Sequence, residues 1–145
     1  MTIGIGLASK EGIVICSDRQ HTISGYSKYS QSKLMSSVRP NGCILMTYAC
    51  NDTDKASLLF DRIEQSDWPT LDSHILRWLR SLVRSDSKGL HTLLAIQLKD
   101  NSPRLFRTTE RDVFEKYRDY IGLGDCSAVK YVQELLPGLP GKISV

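Results

Sequence analysis

The segment from Met1 to Arg19 constrains the fold more than any other stretch. Ile3, Ile5 and Leu7 alternate with Gly4 and Gly6, Lys10-Glu11-Gly12 reads as a turn, and Ile13, Val14, Ile15 and Cys16 form an unbroken apolar run. Period-two alternation, a turn and a second apolar run predict a β-hairpin at the very start of the chain. Where the second strand should end, the sequence turns abruptly polar at Ser17-Asp18-Arg19. The antiparallel return of a hairpin then carries Asp18 back towards Thr2.

Thr2 directly follows the initiator Met1. If Met1 is removed, the threonine carries a free α-amine beside its hydroxyl. An amine with a pKa of about 7.7–8.0 can accept the hydroxyl proton, so one residue supplies nucleophile and base. The simpler alternative is that Thr2 is only the first residue of a strand. Gln20 to Ser32 is polar, contains Gly25, and reads as a loop, after which Leu34-Met35 marks re-entry into a sheet. A lysine at that re-entry, Lys33, can face Asp18.

Thr2, the strand pattern, Gly12, Ser17-Asp18-Arg19, Gly25 and Lys33-Leu34 together resemble the β-type subunits of the proteasome core and their bacterial proteasome-like relatives. These are N-terminal-nucleophile hydrolases of α+β class, built as an αββα sandwich of two stacked, mainly antiparallel sheets flanked by helices. The resemblance implies Thr2 as nucleophile, Asp18 as its acidic partner and Lys33 as the lysine that sets the protonation state of the threonine. The spacing from Thr2 to Asp18 matches without a gap. Lys33 falls one residue early, which requires a shortened loop between Gln20 and Ser32, a change that loops tolerate.

At 145 residues, with 41% hydrophobic and 24% charged residues, the chain is long enough for one domain with a real core. A net charge of +3, with Lys and Arg scattered, argues against a nucleic-acid partner. No leader pattern or apolar membrane-span-length segment is evident, so the expected compartment is the cytoplasm and no membrane is implied. Cys16, Cys43, Cys50 and Cys126 show no Cys-x-x-Cys spacing and read as structural thiols. His21, His74 and His91 are isolated, and neither a metal nor a cofactor is implied.

The order of elements agrees with a sandwich. Cys43 to Cys50 reads as a buried strand after the Pro40-Asn41-Gly42 turn, and Asn51 to Asp54 supplies capping residues for a helix reaching about Gln65. Asp67-Trp68-Pro69-Thr70 breaks the chain. From Leu71 to Arg84, Ile75, Trp78, Leu79, Leu82 and Val83 recur at helical spacing, predicting an amphipathic helix with its aromatic stripe in the core. Ser85 to Gly89 reads as a loop. His91 to Lys99 and Arg104 to Thr108 read as strands around Asp100-Asn101-Ser102-Pro103, and Val113 to Ile121 as one further strand.

The resemblance further places an oxyanion-binding turn at Tyr48-Ala49-Cys50-Asn51-Asp52, with a backbone N–H of Tyr48 or Ala49 as donor. The family has glycine there, but an oxyanion hole needs only a backbone donor. A plain helix-capping turn is the alternative. Gly122-Leu123-Gly124, ahead of a helical Ser127 to Leu136, resembles a Gly-Ser-Gly turn whose serine supports the threonine. Leu123 cannot make that hydrogen bond, which leaves Ser127 as one substitute. The family's later helix, strands, aspartate and serine have no counterpart before Val145, so a C-terminally shortened single domain, residues 1–145, is expected.

The sequence therefore leads to a threonine peptidase of proteasome-like type. Its implied substrates are peptides or unfolded proteins, its implied assembly is a homo-oligomeric ring, and an ATP-dependent unfolding partner belongs to the same expectation. Two alternatives stay open: a non-cutting subunit of the same fold, favoured by Leu123, and an unrelated small α+β domain.

Overall fold

The computed structural model describes residues 2–23, 27–50, 52–83 and 87–123. The N-terminal hairpin forms as its pattern requires, with β1 (Thr2–Ala8) antiparallel to β2 (Ile13–Ser17). Its turn is fastened by Ser9, whose N–H donates to the Gly12 carbonyl at 2.8 Å and whose Oγ accepts from the N–H groups of Glu11 and Gly12. The polar stretch expected as a loop contains a small hairpin instead, β3 (Gln20–Ile23) against β4 (Ser27–Ser30). Threonine, isoleucine and tyrosine in this stretch suit strands, and polarity alone does not separate a short ribbon from a loop.

Next come β5 (Leu34–Arg39), β6 (Gly42–Ala49), α1 (Thr53–Gln65), α2 (Ile75–Leu82), β7 (His91–Leu98), β8 (Arg104–Thr108), β9 (Val113–Lys116) and β10 (Arg118–Leu123). The strands form a three-stranded sheet in the order β10-β1-β2, the two-stranded ribbon, and a five-stranded meander β5-β6-β7-β8-β9. All ladders are antiparallel. The chain is thus α+β, with two main sheets stacked face to face.

Side-chain alternation in the five-stranded sheet divides the core into two layers. Ile44, Met46, Tyr48, Leu94, Ile96 and Phe106 face the helices. Leu45, Ala49, Leu93, Ala95 and Leu105 face the three-stranded sheet and meet Ala8, Ile13 and Ile15 there. Gly6 in β1 sits where the two sheets approach closely. A Cβ on Gly6 would stand 3.0 Å from Leu105 Cδ1 and 3.5 Å from Leu93 Cδ1, so the bare backbone is what lets β1 settle on the meander.

Helix α1 starts where the capping residues indicate, with the Asp52 carboxylate accepting from the Asp54 N–H at 3.0 Å. It buries Ala56, Leu59, Phe60 and Ile63, one helical face, against the sheet. The second helix is shorter than its apolar period suggests. Asp72–His74 is a 3₁₀ turn, and Val83 is extended, although Val83 still packs on the same core. Of the aromatic pair, Trp68 is buried, with its Nε1–H donating to the Ile63 carbonyl at 2.8 Å, and Trp78 lies half-buried 6.1 Å away.

The single strand expected from Val113 to Ile121 is two strands in two sheets. The chain leaves the meander after Lys116, crosses at Tyr117, whose carbonyl accepts from the Ala8 N–H at 2.7 Å, and then runs along β1 as β10. A run of β-forming residues carries no mark of such a sheet change. The described helices cover one face of the stack. The expected helix from Ser127 to Leu136 lies outside the described residues.

Candidate active site

Asp18 immediately follows β2 and continues its ladder. Its N–H donates to the Ile3 carbonyl at 3.1 Å, while its Oδ1 accepts from the Ile3 N–H at 2.9 Å. Backbone and side chain of one residue are therefore both tied to the strand that begins at Thr2. Lys33 occupies the turn into β5, and its Nζ donates to Asp18 Oδ2 at 2.9 Å and to Thr2 Oγ1 at 2.9 Å. The lysine is 2% exposed and Thr2 is 9% exposed, whereas the Asp18 side chain keeps 25%.

An ammonium group so deeply buried is costly unless it is paired and hydrogen-bonded. Asp18 supplies the charge partner, and Thr2 Oγ1 takes a second donor. The arrangement points a cation at the one hydroxyl that stands at the head of β1. A positive charge beside that oxygen favours its deprotonated form, which is the requirement for nucleophilic attack at neutral pH. In the encoded chain the Thr2 nitrogen is a peptide nitrogen, and removal of Met1 turns it into an amine on the same residue as the hydroxyl.

The remaining candidates lie at the same end of the sandwich. Gly12 and Ile13, at the turn of the first hairpin, line one cavity with Leu45, Ala95 and Gln97, and Gly6 sits over Leu93 and Leu105. Strand β1 therefore carries Thr2 away from that cavity towards the end where β6 finishes and β7 begins. Tyr48 and Ala49 are the last residues of β6, paired in register with Thr92 and His91. The Tyr48 side chain belongs to the helix-facing layer and Ala49 to the layer between the sheets. Leu123 pairs with Thr2 across the β10–β1 ladder. Gly124 and Ser127 lie outside the described residues.

Sequence reasoning passed over three features at this end. Ile3 contributes a backbone N–H that orients Asp18, and no side chain signals such a contact. Thr47 is 0% exposed and its Oγ1 lacks a hydrogen-bond partner, as does the buried Nδ1 of His91. Burial, then the nearby Arg107 charge, hold the His91 imidazole below its ordinary pKa, against an opposing effect of Glu110. Among the described residues, His, Cys, Asp and Glu form no group of three or more placed to share a metal ion, and Cys16, Cys43 and Cys50 are free thiols. No described helix is long and apolar enough to cross a membrane.

Neither a family model nor a curated protein matches the sequence. Solved structures do match its fold. An Anbu mutant from Hyphomicrobium sp. strain MC1 superposes with a TM-score of 0.77 at 18% identity, over 97% of this chain and 65% of that one. Anbu from Yersinia bercovieri, described as an ancestral beta-subunit, gives 0.68 at 20% identity, over 96% of this chain and 66% of that one. Anbu from Pseudomonas aeruginosa, solved as a helical assembly, gives 0.65 at 13% identity, over 92% and 65%. The chain thus spans slightly less than two thirds of these proteins.

The two stacked antiparallel sheets with helices packed against one of them are the fold of these Anbu structures, an N-terminal-nucleophile-like fold, and the likeness is one of fold alone. The family read from the N-terminal motif is corrected by the same comparison. The similar structures are Anbu proteins, and 13–20% identity carries a fold without assigning the chain to the proteasome β subunits.

Proposed function

We propose that this chain is an N-terminal-threonine hydrolase that cleaves peptide bonds. The observation that carries this reading is the bridge of Lys33 Nζ between Thr2 Oγ1 and Asp18 Oδ2, each at 2.9 Å. After Met1 is removed, Thr2 Oγ attacks the substrate carbonyl carbon and its proton passes to the α-amine of the same residue. The backbone N–H of Tyr48 or Ala49 stabilises the oxyanion. The C–N bond then breaks as the amine returns the proton to the leaving nitrogen, and water hydrolyses the acyl ester. Asp18 holds the Lys33 cation in place throughout.

The same reading includes a homo-oligomeric assembly, supported by the helical assembly of the similar Anbu structure, together with cytoplasmic location and an ATP-dependent partner that unfolds protein substrates. A non-cutting subunit is the competing reading, favoured by Leu123 standing opposite Thr2 where the Gly-Ser-Gly motif has serine. Intact mass after exposure to a threonine-directed epoxyketone separates the two, because that reagent needs both the hydroxyl and the free amine. A single adduct on Met1-free protein, absent in Thr2→Ala, is the expected result. An assembled, Met1-free protein that stays unmodified would overturn catalysis by Thr2.

A further inference from the structure

The layer between the sheets closes unevenly. Towards Thr2, Leu93 and Ala49 are 0% and 3% exposed, whereas Ile13, Leu45 and Ala95 face the same layer and stay only partly buried. A cavity of about 280 Å³ lies among these three, at the opposite end of the sandwich. Gly12 and Ile13 wall it on the hairpin side, Leu45 and Ala95 on the meander side, and Pro103 reaches it from the turn before β8. Nothing lies within 4 Å of the position a Cβ on Gly12 would take. Ile13 pairs with Ala8, six residues along β1 from Thr2, so about 20 Å of extended strand separate the cavity from the threonine.

The lining selects its occupant. It holds no charged side chain, and its polar side chains are Cys43 and Gln97. Gln97 Nε2 already donates to the Asn101 carbonyl at 3.1 Å, which leaves the amide oxygen to accept at the mouth. Buried water needs about two to four polar partners, and apolar cavities that lack them stay dry and take apolar guests, as benzene fills one of about 150 Å³. A charged guest would lose its hydration without gaining a partner. Size excludes a docked element: an α-helix is about 10–12 Å across, as wide as the whole gap of about 10 Å between stacked sheets. The volume suits one ring or two fused rings. A neighbouring cavity shares Cys43 and Gln97 but is also lined by Arg39, Lys99 and Asp100, and so offers a different chemistry.

We infer that the space between the hairpin turn and the meander is a binding site for a small neutral molecule, aromatic or branched aliphatic, separate from Thr2. Its occupancy depends neither on the peptidase reading nor on removal of Met1.

The test titrates the full ¹⁵N-labelled chain at neutral pH with benzyl alcohol and indole, which are neutral, and with benzoate and benzylammonium, which carry a charge on a similar ring. The amides of Ile13, Leu45 and Ala95 report, because these residues line this cavity and not its charged neighbour, and those of Thr2 and Lys33 are the control. Saturable shifts of the three reporters with the neutral compounds, binding at least about tenfold weaker for both charged ones, and still controls are expected. Ala95→Leu fills the space and should weaken binding at least about tenfold, and the milder Ala95→Val a few-fold. Saturating benzyl alcohol should raise the denaturation midpoint of the parent and not that of Ala95→Leu. No saturable shift at the reporters, equal binding of benzoate, or a folded Ala95→Leu or Ala95→Val that binds as tightly as the parent would overturn the site. So would a fall in assembly mass at saturating benzyl alcohol, which would give the space to a side chain of a second copy.

Discussion

Lys33 Nζ and Thr2 Oγ1 lie 2.9 Å apart although 31 positions separate the residues, and the lysine that makes this contact is 2% exposed. The contact exists because Asp18 neutralises the buried cation from its other side and is itself latched to Ile3. Position and charge in the site are therefore one problem with one solution, and perturbing either perturbs both.

Asp18→Asn keeps the shape but removes the counterion of a buried ammonium group. A buried charge left without its partner costs about 3–5 kcal/mol, whereas replacing the whole pair by apolar groups is often neutral. The single variant should therefore unfold at markedly lower denaturant, and Asp18→Asn/Lys33→Met should recover most of the loss. Neither should label at Thr2. A single variant as stable as the parent would mean that the pair does not carry the burial of Lys33.

Gly6→Ala inserts a methyl group 3.0 Å from Leu105 Cδ1 and 3.1 Å from Leu105 Cδ2, in a layer where Leu105 is 1% exposed. Overpacking of this kind costs about 1–3 kcal/mol. Because β1 carries Thr2, separation of the sheets should also slow epoxyketone labelling. Gly12→Ala is the control: nothing lies within 4 Å of its added Cβ, and it should stay within about 0.5 kcal/mol of the parent. Equal denaturation midpoints for the two variants would refute close packing as the function of Gly6.

Much of this was legible in the chain because it follows from local pattern. Alternating Gly and Ile gave the first hairpin, the polar break at Asp18 gave its return to Thr2, and Asp52 gave the start of α1. The features that escaped are those fixed by tertiary context. Val113 to Ile121 reads as one strand because no glycine or proline interrupts it, and it is the pairing of β10 with β1 that breaks it at Tyr117. Thr47 and Arg107 become neighbours of Leu93 through strand register, which no spacing in the sequence encodes. The family read from the motif is not upheld, because the structural likeness is to Anbu proteins at 13–20% identity, which carries a fold and no family.

Arg104 grips Glu115 through Nε and Nη2, both at 2.7 Å, and sends Nη1 to the Asp72 carbonyl at 2.6 Å, tying β8 and β9 to the turn before α2. The hydrogen bond from Arg104 holds the Glu115 carboxyl below its ordinary pKa, with burial opposing. A depressed carboxylate stabilises the fold above the unfolded-state pKa and loses that contribution as pH falls through the folded one. The pair is partly exposed, at 22% and 41%, so its worth is about 1 kcal/mol or less. Glu115→Gln should be less stable than the parent at neutral pH and indistinguishable from it at pH values where the parent's Glu115 is protonated in both the folded and the unfolded state. A stability difference that is independent of pH would place the effect in packing instead.

His91 titrates in the opposite chemical sense but with the same sign of pH dependence. Burial first, and the Arg107 charge second, disfavour the imidazolium, while Glu110 favours it, leaving the folded pKa below the ordinary value of 6.5. The unfolded chain then binds the proton more readily than the folded one. Stability must rise with pH between the folded pKa and 6.5 and fall away as acid protonates the folded imidazole. Titration of the imidazole by NMR should give a midpoint under 6.5, moved upward in Arg107→Gln and further downward in Glu110→Gln. His91→Gln should flatten the slope of stability against pH over that interval. A midpoint at or above the ordinary value would show that His91 does not feel the buried face it shares with Leu93.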